Sequence, residues 1–270
     1  WSVRPHQLAL LEEARAGRST LLVAPTGAGK TLAGFLPSLV ELSERKGKHD
    51  GLHTLYISPL KALAVDIARN LEAPVREMGL PITIETRTGD TSAAKRTRQI
   101  QRPPDILLTT PEQLALLVSH RDAAPFFANL RRIVLDELHA LVTSKRGDLL
   151  ALDLARLKAL APQVSAVGLS ATVREPADRQ RYLGGGETPS GLVTVAGGAK
   201  PRIGILDTQR RLPIAGHTTL HAMAEVYEAI RTHKLTLVFV NTRMQAEFAF
   251  QALWNLNDDN LPIALHHGSL

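Results

Sequence analysis

Apolar positions along the chain follow two rhythms. Short runs of aliphatic and β-branched residues recur at 20–25 (TLLVAP), 54–59 (TLYISP), 82–86 (ITIET), 105–110 (DILLTT), 132–136 (RIVLD) and 165–172 (SAVGLSAT). Unbroken runs of this length fit strands buried on both faces. Between several of them apolar residues return every three or four positions. Leu60, Leu63, Ala64, Ile67, Ala68 and Leu71 form one such stripe, and Leu150, Leu154, Leu157 and Leu160 another. Strands alternating with amphipathic helices predict an α/β fold, a parallel sheet with helices on both faces. In such sheets the chemistry gathers at the carboxyl ends of the strands. The run Ile133-Val134-Leu135 ends at such a point in Asp136, Glu137 and His139. Carboxylates at the end of a buried strand require a partner, because unpaired burial costs several kcal/mol or shifts their protonation.

After Thr194 the rhythm breaks. Residues 196–217 (AGGAKPRIGILDTQRRLPIAGH) carry several Gly and Pro and little periodicity, and read as an interdomain connection. A second α/β set follows: a helix around 219–232, a strand at 235–242, a helix around 243–256 and a strand at 262–267. The expected layout is a first lobe over 1–195, the connection over 196–217, and the N-terminal part of a second lobe over 218–270. One βαβ unit cannot close a core, so apolar surface is expected to be exposed around Leu235, Val238 and Leu265.

Composition narrows the class. A hydrophobic fraction of 44% and a charged fraction of 21% suit a globular protein. No apolar stretch approaches the roughly 18 residues that span a bilayer, so no membrane association is expected. The N-terminal WSVRPHQ lacks both a signal-peptide core and a starting Met, which suggests a trimmed segment. The absence of cysteine excludes disulfides and thiolate metal sites and fits a cytoplasmic location. A net charge of +6 is compatible with a polyanionic partner, without requiring one.

The chemistry-bearing motifs are more specific. APTGAGKT (24–31) follows the first strand and opens a helix. It matches the phosphate-loop pattern G-x-x-x-x-G-K-[ST] except that Ala24 stands at the first Gly. Thr26, Gly27, Ala28 and Gly29 form the turn whose amides would face phosphate oxygens. Lys30 adds a full charge, and Thr31 a hydroxyl for Mg²⁺. With ATP on the loop, Asp136 would hold Mg²⁺ and Glu137 would orient and deprotonate the attacking water. His139 invites a zinc reading, but no H-E-x-x-H with a further ligand accompanies it. His217 and His221 share a helical face without a third ligand. LSATV (169–173) ends the sixth strand with Ser170 and Thr172, hydroxyls suited to couple the γ-phosphate side of the site to a moving part.

Together these segments resemble a superfamily 2 helicase of the DExH type. RPHQ (4–7) resembles the adenine-reading segment with Gln7 as the matching residue, SPLKALAVD (58–66) motif Ia, TTPEQL (109–114) motif Ib, DELH (136–139) motif II, SAT (170–172) motif III, and LVFVNTR (237–243) motif IV. The wording is similar to the large helicase-related (Lhr) group, particularly the form associated with ATP-dependent DNA ligases. LYISPLKALAVDIARNL, ETRTGDT, SKRGDLLALDLARL and LHHGSL carry that likeness. The resemblance implies a RecA-like P-loop lobe joined to the start of a second one, with ATP between them. It also implies Mg-ATP-driven 3′→5′ movement on single-stranded and tailed duplex DNA, in DNA repair with an ATP-dependent DNA ligase as a partner. His139 joins Lys30, Asp136 and Glu137 in the catalytic set. Ser58, Lys61, Arg69, Thr88, Asp90, Thr91, Thr109, Thr110, Asn241, Arg243 and His267 would lie along or near the strand-binding groove. The basic segment 93–102 (AAKRTRQIQR) either adds phosphate contacts or is a solvated helix.

Alternatives remain open. A kinase or metabolic ATPase also needs a phosphate loop, but does not account for SPLKALA, TTPEQL and FVNTR in that order. An ATP-gated binding module without turnover fits the same motifs, as does an RNA or RNA–DNA hybrid helicase, because the groove grips mainly phosphates and sugars. Motifs V and VI, which would supply an arginine finger contributing about 10³–10⁵ in rate, do not occur. The stretch by itself is therefore expected to bind ATP, hydrolyse it poorly and not unwind.

Overall fold

Each predicted aliphatic run in the first 172 residues contains or leads into a strand. The structure, a computed structural model, describes residues 2–45, 51–171, 175–185, 190–197, 201–208 and 219–267. Thr172 and His217 lie outside the described residues. The chain divides into two units, Trp1–Ala199 and Lys200–Leu270.

In the first unit the elements run α1 (Pro5–Arg15), β1 (Thr20–Val23), α2 (Lys30–Glu44), β2 (Thr54–Ile57), α3 (Lys61–Glu77), β3 (Ile84–Arg87), α4 (Ala93–Gln101) and β4 (Ile106–Thr109). They continue with α5 (Pro111–Val118), α6 (Ala123–Phe127), β5 (Arg132–Leu135), α7 (Leu138–Leu141), α8 (Lys145–Leu160), β6 (Ser165–Ser170), α9 (Ala177–Gly184) and β7 (Gly191–Thr194). The described strands form one sheet in the order β3-β4-β2-β5-β6-β1-β7, and every pairing is parallel. The α/β architecture expected from the alternating rhythms is therefore present, as a RecA-like core.

Successive strand residues point to opposite faces, and both faces are apolar. Leu21, Leu55, Leu107 and Ile133 share one cluster with α5, α6 and α8 residues such as Leu114, Phe127 and Leu154. Leu22, Tyr56, Leu108 and Val134 share the other with Leu10, Phe35 and Ile67 of α1, α2 and α3. The α3 stripe is buried at Ala64, Ile67, Ala68 and Leu71 and extends to Val75, whereas Leu60, placed before the helix begins, is 62% exposed.

Two boundaries differ from the sequence reading. β3 starts at Ile84 rather than 82, because Thr83 turns its amide and hydroxyl to the Asp105 carboxylate and pairing with β4 begins beyond it. β7 was not anticipated. Its half-covered GLVT sequence is an edge strand, held by pairing with β1 rather than by an apolar run of its own.

The second unit has a short 3-10 turn at Thr219–Ala222, then α10 (Met223–Arg231) and α11 (Arg243–Asn255). The helices pack through Met223, Tyr227, Ala249 and Leu253. The strands expected at 235–242 and 262–267 do not form among the described residues, where these segments carry no strand pairing. Helices close their own backbone hydrogen bonds, whereas a strand needs a neighbouring ladder. Leu235 and Val238 are accordingly 82% and 43% exposed, and Leu265 is half-buried.

Candidate nucleotide and nucleic-acid site

The parallel sheet places the loops after β1, β6 and β5 side by side at its carboxyl edge. Ala24 continues the β1–β6 ladder by donating its N–H to Ser170 O (3.1 Å), and Asp136 continues β5 by donating to Ile57 O (2.9 Å). One strand, β6, lies between β1 and β5. Two inter-strand spacings of about 4.8 Å separate the phosphate-loop strand from the acidic strand by roughly 10 Å.

The phosphate loop is held from behind. Gly27 and Gly29 have φ of 79° and 78°, values that residues bearing a Cβ avoid. A Cβ on Gly29 would also stand 3.2 Å from the Gln7 side chain. Three consecutive loop carbonyls are engaged by the segment 4–7. Arg4 Nη1 donates to Gly27 O at 3.1 Å, His6 Nε2 lies 2.9 Å from Ala28 O, and Gln7 Nε2 donates to Gly29 O at 3.5 Å. Gln7 is itself anchored, its Oε1 accepting from Arg4 N at 2.9 Å. With carbonyls drawn toward α1, the opposite side of the loop is left to amides. The first-turn amides of α2 have no carbonyl partner within their helix and carry its positive dipole end. Lys30 Nζ donates to Ala24 O (3.0 Å) and Pro25 O (3.2 Å), so its ammonium lies over the loop. Thr31 is half-buried in that first turn, Ala28 is buried, and Thr26 and Gly27 are exposed.

The acidic cluster is equally constrained. Asp136 is buried, and its Oδ2 accepts a short hydrogen bond from the Tyr56 hydroxyl of β2. Burial, followed by the charge and hydrogen bond of Asp136, pushes the Tyr56 phenol well above its ordinary range, so it remains a donor. The other oxygen, Oδ1, accepts from Glu137 N at 2.9 Å. Glu137 has φ 47° and ψ 42°, a left-handed conformation that side chains other than Gly rarely adopt and that clusters at functional sites. This tight turn leaves Glu137 half-exposed at the edge. His139 follows in α7, its Nδ1 3.4 Å from Glu137 Oε2 and 3.4 Å from Ser170 Oγ. Ser170 is buried at the end of β6. Among the described residues no group of three or more His, Asp and Glu gathers to hold a metal, so Thr31 and Asp136 would need ligands from a bound phosphate to complete a shell.

The candidate strand contacts occupy the other half of the edge, beyond β2, β4 and β3. Lys61 and Asp90 are exposed and paired at 2.8 Å. Thr88, Asp90 and Thr91 form a turn in which Thr91 Oγ1 accepts from Thr88 N (2.9 Å), while Arg96 Nη2 donates to Thr88 O (3.2 Å) and Gly89 O (2.9 Å). The segment 93–102 is thus helical, with Arg96 and Arg98 turned onto their own unit, Arg98 pairing with Glu85 at 2.8 Å. Thr110 is the residue before α5, makes no side-chain cap there and is buried; Arg69 is exposed on α3. Ser58 and Thr109 are fully buried, and Thr109 Oγ1 donates to Arg87 O at 2.8 Å. At these two positions the hydroxyls face inward and shape the loops beside the expected strand path. Asn241, Arg243 and His267 belong to the second unit, where Asn241 N donates to Gln245 Oε1 at 3.2 Å and His267 Nε2 lies 2.7 Å from Glu247 Oε1.

Sequence reasoning missed Tyr56, Arg4 and His6. The first had a signal, since a phenol inside an aliphatic strand must find a hydrogen-bond partner when buried. Arg4 and His6 lie in the RPHQ segment marked for Gln7, but their own role had no local signal, because their partners lie more than twenty residues downstream.

The description DEAD/DEAH box helicase matches residues 4–179. A Lhr helicase and probable uracil glycosylase of Mycolicibacterium smegmatis is 35% identical over 93% of this chain and 18% of its own length. The ATP-dependent helicase Lhr-Core protein 2 of Thermococcus barophilus is 37% identical over 90% of this chain and 30% of its own. The chain therefore spans less than a third of either relative. Among solved structures, Mycobacterium smegmatis helicase Lhr bound to single-stranded DNA and AMP-PNP superposes with a TM-score of 0.80 and 33% identity, over 100% of this chain and 36% of that one. The DUF1998 helicase MrfA gives a TM-score of 0.76 at 28% identity, over 96% of this chain and 39% of that one. With the phosphate loop and acidic turn at one edge of a parallel sheet and the matching region spanning both, the chain belongs to the DEAD/DEAH box helicase family.

Proposed function

We propose that this chain is the ATP-binding part of a DNA helicase that couples ATP hydrolysis to 3′→5′ movement on single-stranded DNA and to duplex unwinding. The observation that carries the reading is the shared sheet edge, with Lys30 on the β1 side, Asp136 and Glu137 on the β5 side, and the loops 58–61, 88–91 and 109–110 continuing along it. The similarity to a helicase solved with single-stranded DNA and AMP-PNP supports it.

The donor set fits a nucleoside triphosphate. Carbonyls are tied back at 27–29, Gly29 holds a φ of 78° that side chains avoid, and a cation stands over the loop. Thr31 and Asp136 would hold Mg²⁺, which when bound neutralises phosphate charge. Lys30 would exchange its two carbonyl acceptors for phosphate oxygens. Gln7 would reach the base by giving up its long bond to Gly29. Glu137, half-exposed beside Asp136, would orient water and take its proton. His139 and Ser170 join that base to β6, and Thr172 would share the coupling role. Lys61, Arg69, Thr88, Asp90, Thr91 and Thr110 would line the strand path, with Ser58 and Thr109 supporting it from within and Asn241, Arg243 and His267 contributing from the second unit.

Residues 1–195 then form the ATP-binding lobe, 196–217 the connection and 218–270 the start of a second RecA-like lobe. The direction of movement, a role in repair beside an ATP-dependent DNA ligase, and a cytoplasmic location rest on motif wording and on the absence of cysteine. The test is turnover and unwinding by the full-length protein on 3′-tailed DNA, 5′-tailed DNA and RNA–DNA hybrids. ATP hydrolysis stimulated by single strands, with unwinding from the 3′-tailed duplex, is expected. Turnover indifferent to every nucleic acid overturns the reading.

A further inference from the structure

One guanidinium ties together three segments that the sequence leaves far apart. Arg146, in the first turn of α8, donates from Nε to Glu112 Oε1 (2.6 Å) and from Nη2 to Glu112 Oε2 (3.2 Å) and to Pro59 O (2.8 Å). Pro59 lies in the loop after β2 that carries Ser58 and leads to Lys61, the first residue of α3. Glu112 lies in the first turn of α5, directly after Thr109 and Thr110. Arg146 itself follows the acidic turn by nine residues, and that interval is stiff. α7 leads into α8 through Ser144, whose N–H donates to Leu141 O (3.1 Å) and whose Oγ caps Gly147 N (3.3 Å). Gly147 approaches so closely that a Cβ there would stand 2.2 Å from Leu141 O, and Tyr182 fastens Gly147 O at 2.7 Å. The acidic turn and Arg146 are thus joined through a closely packed segment with its own hydrogen bonds.

We infer that Arg146 is a positioning residue that links the ATP-cleaving turn to both strand-side loops, so that nucleic-acid binding and ATP turnover sense one another through it. The inference rests on the helicase reading above. Fork geometry is what makes the link directional: two parallel bonds to one carboxylate, with a third to a backbone carbonyl, set the orientation of all three segments. Burial alone would raise the Glu112 carboxyl; hydrogen bonds from Arg146, its own backbone and Thr110, together with the charge of Arg146, outweigh this and hold it below its ordinary value. The pair is 42% and 51% exposed, and exposed pairs add little to stability, so its loss should leave the fold intact. Lysine keeps the charge but not the fork.

The test compares Arg146→Ala, Arg146→Lys, Glu112→Ala and the double Ala variant in the full-length protein, measuring ATP turnover with and without single-stranded DNA, and melting temperature. Expected are wild-type melting and wild-type turnover without DNA, with DNA stimulation reduced about tenfold, within the usual range of coupling between sites. The Lys variant should be impaired almost as much as Ala, and the double variant no worse than either single one. Variants stimulated like the wild type overturn the inference, as do losses that are equal with and without DNA. A wild type that nucleic acid does not stimulate overturns the helicase reading and this link with it.

Discussion

The two halves of the sheet edge are built differently. On the nucleotide half the polar groups are held by hydrogen bonds to main-chain atoms or to buried side chains. Asp136 is held by Tyr56 and by its neighbour's amide, the loop carbonyls by Arg4, His6 and Gln7, and Ser170 sits beside His139. On the strand half the charged groups that would meet a strand are exposed, Lys61 and Asp90 paired only with one another. Phosphoryl transfer depends on groups that need no rearrangement as charge develops. A sliding strand requires contacts that form and break, which exposed pairs permit because their exchange costs little. The contrast predicts steep, salt-insensitive losses on one half and shallow, salt-sensitive ones on the other.

Glu137→Gln should show the largest effect. Loss of a general base lowers turnover by about 10²–10⁴-fold, with ATP binding retained because the loop is untouched. Equal turnover in this variant would mean that the acidic turn binds without cleaving.

Tyr56→Phe should come next. Removing a hydrogen bond that orients a metal-holding group typically costs about 10–100-fold in metal affinity or activity. The expected result is about a tenfold rise in the Mg²⁺ concentration giving half-maximal turnover, largely restored by excess Mg²⁺. An unchanged or lower Mg²⁺ requirement would show that Tyr56 merely occupies Asp136, and would erase the distinction between a preorganised half and an exchangeable one.

Lys61→Ala should be mildest. One fewer phosphate contact reduces the dependence of log affinity on log salt by about 0.7 for a single strand, with a loss of affinity that fades at high salt. A salt slope identical to that of the wild type would remove Lys61 from the strand path.

A second comparison concerns what sequence can convey. Thr54-Leu55-Tyr56-Ile57 and Thr236-Leu237-Val238-Phe239 share their first two residues and their apolar character, and both read as strands. The first is fully buried between β4 and β5. The second has no ladder, with Leu237 and Phe239 71% and 87% exposed. Apolarity reports that a segment is suited to burial, and only a neighbouring strand turns suitability into structure. The phosphate loop was legible for the opposite reason: its Gly positions, Lys and helix start act within eight residues, so spacing alone carries the chemistry. Arg146 was not legible, because nothing local marks which of many arginines will face a carboxylate 34 positions away.

The sequence by itself determined the alternation of strands and helices in the first unit, which loops bear the residues of a phosphate loop and an acidic turn, and the family the chain resembles, since these depend on periodicity and short-range spacing. Tertiary structure alone decided that β6 separates the loop from the acids, that Tyr56 meets Asp136, that Arg4, His6 and Gln7 brace the phosphate loop, that Ser58 and Thr109 turn inward, and that 235–240 forms no strand. Each of these rests on contacts between distant segments, whose free energy exists only once the chain has brought them together.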